Sequence, residues 1–75
     1  MKLTIAEAWP LIKEGTNIRT NAQNSYLGAI FSGEIVAIDE GIFLAENGRG
    51  SRHVYLNNGE NDAYIEIINE RNKGV

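Results

Sequence analysis

The sequence predicts an α+β fold, with one N-terminal helix packed on a bent antiparallel sheet of five or six strands. Three observations predict it. The opening residues carry an apolar repeat of helical period behind a helix cap. After Gly15 the period falls to about two. From there on, turn residues recur at intervals too short for parallel strands, which need crossovers of a dozen or more residues.

The helix is expected over residues 4 to 14. Thr4 and Glu7 have the spacing of a capping box, in which each side chain satisfies the other's backbone N–H. Ile5, Ala8, Trp9 and Ile12 recur at i, i+3, i+4 and i+7 and form one apolar face. Gly15 is a natural stop. Pro10 interrupts the pattern, because it lacks a donor and crowds the carbonyl of Ala6. Either the helix kinks there, or a short first turn gives way to a helix that begins at Pro10.

Strands are expected at 17–20, 26–31, 34–38, 42–45, 52–56 and 63–68, from their β-branched and aromatic content and their alternation. Asn21 to Asn24 reads as a polar loop, and Gly28 as a bulge or a close-approach point within its strand. Ser32-Gly33 reads as a tight turn. Asp39-Glu40-Gly41 reads as a three-residue hairpin with Gly41 at the left-handed position. Residues 46–51 read as a loop, 57–62 as a turn, and 69–75 as a fraying polar tail. The nine Asn residues fit turn chemistry, since Asn tolerates left-handed backbone and bonds its own main chain. An alternative is a small SH3-like or OB-like barrel, in which the same meander curls closed.

Length and composition bound the function. A chain of 75 residues is one domain. At this size only about 60% of the unfolded surface is buried. Cys is absent, so disulfides and thiolate metal sites are excluded, and a single His cannot build a multi-His zinc site. Oligomerisation is the device left, which makes a homo-oligomer the expectation. Ten acidic against seven basic residues give a net charge of -3, unlike a general duplex-DNA binder. No apolar run approaches the ~20 residues of a membrane helix, and the absence of Cys fits a cytoplasmic setting.

Catalytic groups are sparse. Ser51 and His53 share a strand face, but no nucleophile elbow accompanies them. Asp39-Glu40 occupies a turn, where Asp serves the backbone. Glu60-Asn61-Asp62 offers oxygen ligands without the spacing of a calcium loop. The chain therefore reads as a binding module and not an enzyme, with no cofactor. The segment with most chemistry is Asn47-Gly48-Arg49-Gly50-Ser51-Arg52-His53. Two glycines let backbone N–H groups converge on an anion, and Arg49 and Arg52 can bond phosphate. With Arg19 these cations lie in acid-free stretches of an acidic chain. The bland reading is a Gly-rich hairpin loop with solvated arginines. Of the aromatics, Trp9 with Phe31 or Phe43 fits a core, Tyr55 and Tyr64 fit half-buried strands or interfaces, and Tyr26 is available to stack a base.

The opening from Ile5 to Arg19, a short helix of E-A-x-x-x-I/L-K-x-G type running into a strand with Arg, resembles the start of the Thoeris anti-defence 2 family of small phage proteins. Asn61 to Ile67 is distantly similar to that family's final strand. The family's Asp-Trp pair is missing, and Arg19-Thr20-Asn21-Ala22 lacks its Trp. The resemblance implies an oligomer that sequesters a nucleotide-derived signal in the cytoplasm of a phage-infected host cell. Of the binding residues the resemblance carries over Arg19 alone; joined to the residue reading above, a nucleotide-binding site would use Arg19, Arg49 and Arg52 with Gly48, Gly50, Ser51 and His53 for phosphate and Tyr26 to stack the base. A second expectation is a protein–protein inhibitor that docks on a host enzyme, from acidity and available strand edges. A third is single-stranded nucleic-acid binding, which the negative charge opposes.

Overall fold

A computed structural model describes residues 1–57 and 62–70. Among them are β1 (Lys2–Leu3), α1 (Ile5–Ala8), a 3-10 turn (Trp9–Leu11), β2 (Thr16–Gln23), β3 (Tyr26–Asp39), β4 (Ile42–Asn47), β5 (Gly50–Tyr55) and β6 (Ile65–Glu70). The six strands form one sheet in the order β1-β6-β2-β3-β4-β5, with every ladder antiparallel. The α+β expectation holds in its coarse form, with β structure dominant. The sheet curls until Asn24 meets Val54 in a single parallel bridge, which brings the end of β2 against β5.

The helix is shorter than its apolar repeat. Thr4 and Glu7 do form the capping box, at 3.0 and 2.9 Å. The α-helix then ends at Ala8, and Pro10 sits in the first turn of the 3-10 segment. Pro10 cannot donate to Ala6, so the repeat continues in a tighter turn and Ile12 is extended. Ile5, Ala8 and Ile12 still reach the core. Trp9 packs on the buried Phe43 with ring centroids 5.5 Å apart, and Phe31 is partly buried against the same cluster.

Three expected breaks are filled by strand. Residues 21–23 continue β2 because side chains stand in for ladder partners. Thr20 Oγ1 accepts the Ala22 N–H at 3.0 Å across a bulge and donates to the Tyr64 carbonyl at 2.6 Å. Asn21 accepts from the Tyr64 N–H and donates to the Asp62 carbonyl. Ser32-Gly33 is no turn, and β3 runs straight through it. A Cβ at Gly33 would stand 2.7 Å from the Glu46 carbonyl oxygen, so glycine permits close approach here and does not bend the chain. Residues 46–51 are not an open loop either, since β4 and β5 pair as far as Asn47 and Gly50. Gly28 is the close-approach point expected, with the Gln23 side chain where a Cβ would lie. Gly41 adopts the expected left-handed backbone at φ +75, but Asp39 pairs with Ile42, so the β3–β4 turn is the two residues Glu40-Gly41 and not the three expected. Glu60 and Asn61 lie outside the described residues, as do 71–75 of the tail, whereas Asn69 and Glu70 pair in β6.

The core runs along the inward side of the curl. It joins Ile18 and Ala22 of β2, Ile35 of β3, Phe43 and Ala45 of β4, Val54 of β5 and Ile65 of β6. Thr16 and Thr20 are buried on the same face, with hydroxyls bonded to backbone, which offsets the cost of burying them. Among the described residues no helix is long and apolar enough to cross a membrane.

Candidate functional site

The segment from Asn47 to His53 is divided between a hairpin tip and a strand. Asn47 organises the tip. Its Oδ1 accepts the N–H groups of Arg49 and Gly50 at 2.7 and 3.0 Å, and its Nδ2 donates to the Ser32 carbonyl at 2.7 Å. The amides of Arg49 and Gly50, which an anion cradle needs, are therefore taken up by Asn47. Gly48 and Arg49 form the exposed turn.

The three arginines go separate ways. Arg52 points inward, donates to the Ala29 carbonyl and to the Ala22 carbonyl at 3.2 Å, and lies 5.0 Å over the Phe31 ring. Burial lowers its pKa from the usual arginine value, and nearby Tyr26 partly opposes that shift. Arg19 faces out from β2 and pairs with Glu66 at 3.1 Å. Arg49 stands at the tip. Tyr26 opens β3 about half exposed, with its hydroxyl 3.5 Å from Asn24 Nδ2. Tyr26 and Arg52 thus share a neighbourhood, while Arg19 belongs to the far side of β2.

Ser51 and His53 share the outer face as the alternation requires. Across the β4–β5 ladder Ser51 stands opposite Glu46 and His53 opposite Leu44. Among the described residues no carboxylate stands directly opposite the imidazole along the ladder to orient it. Among the described residues no three His, Cys, Asp or Glu side chains gather to hold a metal.

The more coherent surface lies on the outer side of β3, β4 and β5, where three cross-strand rows stack. The first row is Glu34, Glu46 and Ser51. The second is Ala37, Leu44 and His53, with Val36 beside it at a bulge. The third is Asp39, Ile42 and Tyr55. A concavity of about 340 Å³ opens there, bounded by Ala37, Asp39, Ile42, Leu44 and His53 and also by Ile38 and Phe43 of the same two strands. Val36 is 38% exposed and Leu44 is half-buried, so the middle row is apolar and open to water, and half-buried Ile42 with Tyr55, 40% exposed, extends it into the third row beside Asp39. Of this band the reading of candidate ligand residues contained only His53. The missed signal is in β4, where Ile42-Phe43-Leu44-Ala45 is apolar on both faces, a pattern expected of strands covered on both sides.

The sheet edges, by contrast, are blunted. β1 is only two residues long. On β5 the His53 carbonyl and Tyr55 N–H are already bonded to Asn24. Those positions are therefore closed to strand addition by a partner.

The fold and this surface define a small curled-sheet protein with an apolar outer face on β3, β4 and β5 and no assembled catalytic group among the described residues. No family model, curated protein or solved structure matches the chain.

Proposed function

We propose that the chain is a non-catalytic protein-binding module whose working surface is the outer face of β3, β4 and β5. One observation carries the reading: β4 turns Ile42 and Leu44 outward while Phe43 and Ala45 fill the core. A strand whose outer side meets only water alternates apolar with polar, and contiguous exposed apolar surface marks docking sites. A barrel-like closure at the Asn24–Val54 bridge and a cytoplasmic setting belong with this reading. Panning a displayed peptide library tests it. Selected binders should lose most of their affinity for Leu44→Asp and keep it for Arg49→Ala. Binders indifferent to Leu44→Asp would remove this face from consideration.

A second reading, capture of a phosphate-bearing nucleotide, is supported by Arg49, which is exposed at the tip and makes no ion pair among the described residues. Native mass spectrometry with a panel of cyclic and linear nucleotides tests it. A nucleotide adduct lost on Arg49→Ala is its expected result, and no adduct with any nucleotide rejects it.

A further inference from the structure

We infer that the partner surface for β3, β4 and β5 is a protein ridge that is apolar in the middle and basic at both ends, an inference that rests on the protein-binding reading above. Glu34 and Glu46 are register partners on the outer face, and like charges directly opposite each other destabilise a sheet. Nothing within the described residues relieves them. The two ion pairs found there both fall on Glu66, which engages Arg19 and the N-terminal amine. The other basic groups with defined contacts are also occupied elsewhere. Arg52 is bonded inside the curl, and Lys2 lies over the Tyr64 ring. At the opposite end of the band stands Asp39, with its Oδ1 turned back to the Glu40 N–H and Glu40 next to it in the turn. Along β4, which carries no bulge in this stretch, the two acidic rows are four residues apart, about 13 Å at the rise of a strand.

Between these ends the face presents Val36, Ala37 and Leu44 with His53 and no charged side chain, and Ile42 continues the apolar surface beside Asp39. Apolar contact supplies affinity in such a surface, while the charged ends choose the partner and its orientation. A second copy of this chain fits poorly. In a two-fold arrangement each acidic row meets either itself or the acidic row at the other end. Nucleic acid and anionic lipid are opposed by the same carboxylates. A basic-ended apolar ridge on another protein satisfies all three rows.

An α-helix gives a defined probe, since eleven residues rise about 16 Å, return to the same face and so span the acidic rows with the reach of Arg side chains to spare. The probe is a lactam-constrained helical peptide with Arg at the two ends of that interval and Leu four and seven residues along it. Two controls carry Gln or Glu at the end positions. Each is titrated into 15N-labelled protein, following the amides of Ala37, Leu44 and His53, and self-association is followed by sedimentation. The Arg peptide is expected to bind at least tenfold tighter than the Gln peptide, and the preference should shrink as salt is added. The triple variant Glu34→Gln, Asp39→Asn, Glu46→Gln should bind the Arg and Gln peptides alike and melt no lower than the parent. Equal binding of all three peptides to the parent overturns the inference and leaves the protein-binding reading standing. No perturbation of those amides by any peptide overturns both. A dimer dispersed by Leu44→Asp places a second copy on the face and overturns the inference as well.

Discussion

Arg52 Nη1 donates to the carbonyl oxygen of Ala22 at 3.2 Å, a contact between residues thirty apart in the chain. The same nitrogen reaches the Ala29 carbonyl. Beyond the single Asn24–Val54 bridge, β5 shares no ladder with β2. This one guanidinium nitrogen therefore bridges a seam that backbone pairing leaves open, and the Phe31 ring lies under the group.

Replacing Arg52 by Met keeps the apolar stem and removes both hydrogen bonds. Charged donors to backbone carbonyls contribute roughly 1.5–3 kcal/mol each, but they are not additive at one site. The expected loss is about 2–4 kcal/mol in urea unfolding, and Arg52→Lys should recover only part of it. An unchanged midpoint for Arg52→Met would show that the Asn24–Val54 bridge holds the seam alone.

Asn47 is predicted to stabilise the β4–β5 tip through both ends of its amide. Asn47→Ala removes the acceptor for Arg49 and Gly50 and the donor to Ser32. It should cost about 1–3 kcal/mol, as expected for several hydrogen bonds at an exposed turn. Asn47→Asp keeps the acceptor and should cost less. Thermal melts of the two variants check the order.

Glycines that look alike in sequence should respond in opposite ways. Gly33→Ala drives a methyl against the Glu46 carbonyl and the Phe31 ring and should destabilise by about 1–3 kcal/mol. At Gly48 a Cβ meets nothing within 4 Å, so Gly48→Ala should stay within about 0.5 kcal/mol of the parent. Equal costs in denaturant titrations would contradict the close approach at Gly33.

Neighbours on β4 should separate stability from docking. Phe43 is fully buried against Trp9, so Phe43→Ala is expected to cost about 3–5 kcal/mol. Leu44 is half-buried on the outer face, and Leu44→Ala should cost about 1 kcal/mol. Chemical unfolding of the pair gives the ratio. Comparable losses would mean that Leu44 belongs to the core and not to a docking face.

What the sequence by itself determined was local. The Thr4–Glu7 box, the Gly41 hairpin, the alternating inward face of β2 and the apolar stretches of β3 and β4 all follow from spacings of a few residues. Such signals depend on backbone geometry that neighbouring residues set among themselves. The tertiary structure decided the rest. It inserted β6 between β1 and β2, joined two expected strands through Ser32-Gly33, and gave the Asn21 side chain backbone partners more than forty residues away. It also set Arg19 against Glu66, 47 residues on, and drew Arg52 inward, so that arginines read together as one anion site do separate work. Contacts of that range depend on how the whole sheet curls. The sequence marks β4 as apolar on both sides, but only the curl settles which side is filled by the core and which is left facing water.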